Sequence, residues 1–273
     1  MKKIVMLLTI VLPFVGKAII TADNSTAETD PYGSTGFDWS YVYEHPDGSA
    51  VAVDAYWVLT ASHVADYGGA GTLTINGTNY YQQEIVYHES ADLALIRYDK
   101  ALPGFYSLYS GELVPKNPNN QLSVVMVGYG HTGTASSASW TDSGSGRGTE
   151  RWGTQKIDST QTLAYNAGGT TGITTNNGFW MDFNLGDTTY EAGVGVYDSG
   201  GGTFYNDNGT WKLAGINTVR IPVDSPYNST FSVSAGAYEP WISQTVPEPS
   251  TAIQLVLIAV GVSVVNRYRC MCR

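Results

Sequence analysis

Three short stretches of this sequence carry residue types suited to chemistry. The first, residues 56–64, reads YWVLTASHV and places His63 just after the strand-like apolar run Trp57-Val58-Leu59. The chain has only four histidines, and an unperturbed imidazole both takes and gives protons near neutral pH. At the end of a buried strand, His63 is either a satisfied core residue or a reactive one. The second stretch, 196–202, reads VYDSGGG and sets Ser199 between Asp198 and three glycines. Glycine permits a turn tight enough for backbone amides to face a ligand, although a glycine-rich hairpin loop has the same composition. The third, 91–97, reads ADLALIR. There Asp92 opens an apolar strand, a place where turn residues are common.

Strands must position these side chains. Charged residues make up 14% of the 273, Gly (31) and Tyr (19) are abundant, and long helix-forming stretches are missing between residues 30 and 245. That composition favours strands and turns. Alternating apolar and polar runs at 49–53, 71–75, 84–86, 93–98, 124–127 and 211–217 predict short strands. Many short strands suggest barrels or a sandwich. The Pro/Asn-rich segment 114–120 predicts a connector between β units at 19–115 and 116–245. Segments 132–149 and 166–177, rich in Gly, Ser, Thr and Asn, predict exposed loops. No internal repeat is visible.

Jointly, the three stretches resemble motifs of the trypsin/chymotrypsin serine protease family. TASH is similar to its TAAH, ADLALIR to its D-I-A-L-L, and DSGGG to its G-D-S-G-G-P. His63, Asp92 and Ser199 also follow the chain order of that family, unlike subtilisins or α/β-hydrolases. Weaker echoes are VGYG at 127–130 and LAGI at 213–216. The resemblance spans 19–243 and is strong only at the motifs. It implies an all-β fold of two six-stranded antiparallel β-barrels with the active site in the cleft between them, His63 and Asp92 on the first and Ser199 on the second. It also implies an endopeptidase acting on proteins or peptides without cofactor or metal. His63 would serve as general base to Ser199, and Asp92 would orient the imidazole and stabilise its charged form. The N–H groups of Tyr197 and Ser199 would form the oxyanion hole.

The sequence departs from the family at several positions. Tyr197 stands where the family has glycine, so a side chain restricts the backbone that must present an amide. Gly202 replaces the proline that ends the motif. Gly193, six residues before Ser199, occupies the place of the aspartate that gives trypsin its basic specificity, so cleavage after Lys or Arg is not expected. Asn217, Thr218, Val219 and Arg220 stand where the family's pocket strand reads S-W-G. Arg220 would narrow the pocket, attract an acidic side chain or remain a solvated surface arginine. An uncharged or small residue at the cut site is the expectation. Asp198 matches the family aspartate that pairs with a newly freed α-amino group, and Ile19 lies where signal cleavage would create one. Alternatively, Ile19 ends the apolar signal and Asp198 finds another partner.

Both ends of the chain read as addresses. Residues 1–18 combine a basic start, an apolar stretch interrupted by Pro13 and small residues near the end, the layout of a signal peptide. Residues 246–273 resemble the PEP-CTERM sorting signal of Gram-negative bacteria: Pro247-Glu248-Pro249, an apolar run at 252–265, then Arg267 and Arg269. That resemblance implies an exosortase-type processing enzyme, transient membrane association through a short span, and a secreted or cell-surface protein. Both cysteines, Cys270 and Cys272, lie in this tail, and two such ligands do not make a closed metal site. The net charge is −10, and six of the fourteen basic residues sit in residues 1–18 and 267–273, which hold no acidic residue, so the body between them is more acidic still. Such a body repels nucleic acid and anionic lipid surfaces. Two other readings remain: a catalytically weak or inactive protease-like domain serving as a cell-surface binding protein, and an esterase on the same fold.

Overall fold

The computed structural model describes residues 19–21, 38–67, 71–113, 121–221 and 226–246. The signal-like residues 1–18, the 114–120 connector and the 247–273 tail fall outside the described residues. In chain order the strands are β1 (Ile20–Thr21), β2 (Val42–His45), β3 (Gly48–Ala52) and β4 (Trp57–Thr60). Helix α1 (Ser62–Tyr67) follows, then β5 (Leu73–Ile75), β6 (Thr78–Tyr80), β7 (Gln82–Tyr87) and β8 (Ala94–Tyr98). The second half runs β9 (Ser123–Gly128), β10 (Gly133–Ala135), β11 (Trp140–Asp142), β12 (Arg151–Lys156), β13 (Ser159–Asn166) and β14 (Ile173–Asp182). It continues with β15 (Ala192–Gly193), β16 (Gly202–Asp207), β17 (Thr210–Ile221), β18 (Ser229–Ser234) and helix α2 (Glu239–Thr245). Neither helix is long enough to cross a membrane, and no other described helix is. Each of the six predicted strand segments overlaps a strand, respectively β3, β5, β7, β8, β9 and β17.

The first half is a five-stranded sheet in the order β2-β3-β4-β8-β7, and the second a seven-stranded sheet in the order β12-β9-β16-β17-β18-β14-β13. All of these pairings are antiparallel. Among the described residues neither sheet closes on itself, so the expected pair of six-stranded barrels is observed as two open sheets. Strands available to extend them, β5–β6 and β10–β11, are hairpins of three-residue strands that join neither sheet, β11 adding only an isolated bridge from Trp140 to Tyr227. Asn76-Gly77 and Asn208-Gly209 make two of the hairpin turns with both residues at positive φ, as the right-handed twist of the flanking strands requires.

One apolar core underlies both halves. It joins Val42, Leu59 and Val64 to Val125, Phe204 and Ile216, each buried side chain contributing about 1.5–3 kcal/mol. Strand β1 also crosses over. Although it precedes the 114–120 divide, Ile20 pairs with Gly193 and Thr21 with Ala192. Its neighbour Ile19 and Ile20 itself are buried, so burying two isoleucines draws the start of the chain into the second half.

Both segments expected to be exposed loops contain strands. The 132–149 segment holds β10 and β11, because the Trp140 indole is buried and donates from Nε1 to the Val194 carbonyl at 3.0 Å. The 166–177 segment holds the first half of β14, whose inward residues Thr174 and Asn176 are polar. Alternation of polar with polar conceals a strand from a hydrophobicity pattern.

Candidate active site

Strand β4 ends at Thr60 and the chain turns into α1, so His63 stands in that helix's first turn instead of ending the strand. Asp92 lies just before β8 and is fully buried. His63 Nδ1 is 2.7 Å from Asp92 Oδ2, and the His63 backbone N–H donates to Asp92 Oδ1 at 3.0 Å. Ser62 Oγ donates to the same Oδ1 at 2.6 Å. From β13 of the other sheet, the Tyr165 hydroxyl donates to Oδ2 at 2.7 Å. The carboxylate therefore has four donors, and the Asp92 backbone N–H is itself anchored on Asn176 Oδ1 of β14 at 2.7 Å.

The electrostatics follow from this arrangement. Burial alone would raise the Asp92 pKa, but the hydrogen bond and charge of His63, with the Ser62 and Tyr165 hydroxyls, hold it below its ordinary value. Burial alone would lower the His63 pKa, and the Asp92 hydrogen bond and charge outweigh that and raise it. Burial and the neighbouring Asp92 charge push the Tyr165 phenol far above its usual range. It stays protonated and serves as a donor.

The serine loop is stitched to both sheets. Ser49 N of the first donates to the Ser199 carbonyl at 2.8 Å, and Gly200 N donates to the Asn217 carbonyl of the second at 2.9 Å. A Cβ on Gly48 would stand 2.5 Å from the Ser199 carbonyl oxygen, and one on Gly200 would collide with the Ser49 carbonyl. Gly200 also has φ of 84°, so glycine is required there on two counts. Ser199 Oγ rests on the Thr218 carbonyl at 3.4 Å, not on His63. Both side chains nevertheless line one cavity of about 280 Å³. Among the described residues, neither the Tyr197 nor the Ser199 backbone N–H donates to another protein group.

Tyr197 adopts a φ of 70°, a conformation that costs a side-chain-bearing residue roughly 1–2 kcal/mol. Its ring is held from two sides. The Arg147 guanidinium lies over it at 4.0 Å, and His131 meets it edge-on at 5.0 Å. Arg147 continues across to the first sheet, donating to the His45 carbonyl at 2.9 Å and to the Pro46 carbonyl. Cation–π attraction, about 0.5–1 kcal/mol at exposed sites and more when desolvated, offsets part of the backbone strain.

Next to Tyr197, Asp198 is fully buried. Its Oδ1 accepts Gly130 N at 2.8 Å, and its Oδ2 accepts Gly195 N at 2.7 Å and Ile19 N at 3.2 Å. Burial pushes this carboxyl up to about 7, the three backbone donors only partly countering it.

The overall arrangement of strands matches solved structures of the protease Rv3671c from M. tuberculosis H37Rv. Its active form aligns with a TM-score of 0.57 and 16% identity over 82% of this chain and 87% of that chain. An inactive serine-to-alanine variant aligns with a TM-score of 0.56 and 16% identity over 82% and 93%. The fold is trypsin-like. A further match is the passenger domain of the Plasmid encoded toxin, an autotransporter enterotoxin from enteroaggregative Escherichia coli. It has a TM-score of 0.55 and 17% identity over 77% of this chain and 23% of that one. At these identities the likeness is one of fold. No protein family and no curated protein matches the sequence.

Within the trypsin-like fold, His63 and Asp92 belong to the five-stranded half and Ser199 to the seven-stranded half. Of the four residues expected in a specificity pocket, Thr218 and Arg220 line the cavity with Ser199. Gly193 lies beneath the Trp140 indole, which occupies the space a side chain there would need, and Val219 packs on the core. Sequence reasoning missed Tyr165 and Asn176. Their only signal was Leu163 and Tyr165 at alternate positions of an otherwise polar strand.

Proposed function

We propose that this protein is an exported serine endopeptidase that cleaves protein or peptide substrates through Ser199, His63 and Asp92. One observation carries the reading: a buried carboxylate with four donors grips a histidine that shares a cavity with Ser199 and two uncommitted backbone amides. In the proposed cycle, the Ser199 side chain turns from the Thr218 carbonyl toward His63. Its Oγ attacks the substrate carbonyl carbon as its proton passes to His63 Nε2. The N–H groups of Tyr197 and Ser199 receive the negative charge on the carbonyl oxygen. Collapse breaks the C–N bond, His63 returns the proton to the departing amine, and water then releases the acyl group by the same proton path. Replacing any of the three residues lowers kcat on the order of 10⁴-fold or more.

Activation in this proposal follows export. Cutting after Ala18 frees the Ile19 nitrogen as an ammonium group beside Asp198. It also releases Ile19 from a φ of 42°, a strained value for a β-branched residue. The proposed location is the cell surface or exterior of a Gram-negative bacterium, after removal of the tail by an exosortase-type enzyme.

A second reading, a catalytically weak or inactive binding protein, is favoured by the Thr218-facing Ser199 and the strained Tyr197. Fluorophosphonate labelling separates the two. A peptidase incorporates the probe at Ser199 and loses it in Ser199→Ala, whereas an inert module does not label. Turnover of esters with no turnover of any peptide would instead identify an esterase.

A further inference from the structure

We propose that the substrate pocket selects a carboxylate side chain, glutamate or aspartate, on the residue whose carbonyl is cleaved. The proposal rests on the peptidase reading for its meaning, and on Arg220 for its physics. Arg220 lines the cavity beside Ser199 and Thr218. Its guanidinium is stacked on the Tyr227 ring at 4.0 Å, and Nη1 donates to Asp142 Oδ2 at 3.0 Å. Those two contacts fix the plane of the fork while using only one of its edges. A guanidinium already immobilised in this way loses little freedom on gripping a carboxylate.

Asp142 does not cancel the arginine. It is largely enclosed, with a side chain 9% exposed against 21% for Arg220, and it does not line the cavity. Its oxygens also accept Val196 N at 2.7 Å, Gly144 N at 2.7 Å and a contact from His131 Nδ1 at 3.1 Å. Burial would raise its pKa, but these backbone bonds, His131 and Arg220 hold it below its ordinary value. The carboxylate is thus stabilised as an anion by several groups, and the ion pair turns its positive end to the cavity. The cavity's own acidic lining residue is Asp47, whose electrostatic partners are Arg147 and His63. An acidic side chain entering beside Arg220 meets the one arginine among the described lining residues, none of which is a lysine. This departs from the expectation of a small or uncharged residue at the cut site. With the Trp140 indole covering Gly193, that position adds no depth to the pocket, and Arg220 decides its chemistry.

The test compares peptides differing only in that side chain. With the active protein, kcat/KM for Glu should exceed that for isosteric Gln by about a hundredfold, and Asp should exceed Asn in the same sense. With the Ser199→Ala protein, calorimetric titration should show a product peptide ending in Glu binding at least about tenfold tighter than one ending in Gln. Added salt should weaken the first and spare the second. Arg220→Gln should collapse both Glu/Gln ratios toward one, with Arg220→Lys intermediate. Equal binding and equal cleavage of the Glu and Gln peptides by the unsubstituted pocket would overturn the proposal, and that outcome is read without any Arg220 variant having to fold. Selective binding of Glu without cleavage would uphold the pocket and sink the peptidase reading. Cleavage without Glu preference would do the reverse.

Discussion

Retaining a single residue before Ile19 should make this protein's stability fall as pH rises from about 4 to 7, a fall absent from the chain that begins at Ile19. In the uncut chain, Asp198 is fully buried and faces only neutral backbone donors from Gly195, Gly130 and Ile19. Its pKa is pushed up to about 7 from an ordinary 3.8. At 1.36 kcal/mol per pH unit, that rise corresponds to a penalty on the order of 4 kcal/mol for the ionised form. It agrees with the roughly 3–5 kcal/mol lost when a buried pair is broken. Between pH 4 and 7 the folded uncut chain holds a proton that the unfolded chain has released, so its stability falls as pH rises. A free α-ammonium group at Ile19, ordinarily protonated up to about pH 8, would hold Asp198 as a carboxylate and remove that fall. Urea unfolding at pH 4, 5.5 and 7 should be measured on protein beginning at Ile19 and on protein retaining Ala18. Other titrating groups, including His45 at about 4 and Glu150 at about 8, are common to both forms and drop out of the difference. The two curves should diverge toward neutral pH by up to about 4 kcal/mol, with the longer form less stable and less active. Parallel curves with equal turnover would refute the pairing and leave the roles of His63, Asp92 and Ser199 standing.

Peptide hydrolysis should rise as His63 loses its proton, with a midpoint above the ordinary histidine pKa because Asp92 raises it; a pH–rate profile peaking in acid would contradict this. The ion pair's contribution to stability runs the other way on the His63 side, present in the protonated form and lost as pH rises through the raised pKa. Tyr165→Phe removes one of four donors to Asp92, which should lower kcat/KM by roughly tenfold, in line with one charge-assisted hydrogen bond, and move the pH–rate midpoint upward. A loss of activity with no shift in midpoint would mark Tyr165 as merely structural. Tyr197→Gly relieves a positive φ while giving up the Arg147 and His131 contacts, so turnover should be retained within about threefold; complete loss in a folded protein would give the tyrosine ring a part in catalysis. Mass spectrometry of the exported form should find no peptide from 267–273, and finding one would indicate a permanent anchor.

Much of the site was legible because local chemistry writes itself locally. The TASH, ADLALIR and DSGGG stretches single out His63, Asp92 and Ser199, the first two of which the fold pairs and the first and last of which line one cavity, and the run of apolar alternation located six strands, since burying one face of a strand forces a period of two. The polar strands β13 and β14 were not legible. Tyr165 and Asn176 point inward because Asp92 of the other sheet needs a donor and an anchor, a demand that arises 73 and 84 residues away in sequence, and Thr174 in turn accepts from Asn176. Gly193 stands in sequence at a specificity-pocket position, whereas Trp140, from a segment that looks like a loop, fills the space a side chain there would need. Arg220 has three open roles in sequence. Only the tertiary structure stacks it on Tyr227, pairs it with Asp142 and sets it in the lining of the cavity. Sequence alone determined which residue types were available for proton transfer and nucleophilic attack. Tertiary structure decided which polar groups are spent holding them, because a buried charge takes its partners from whatever elements the fold brings within about 3 Å.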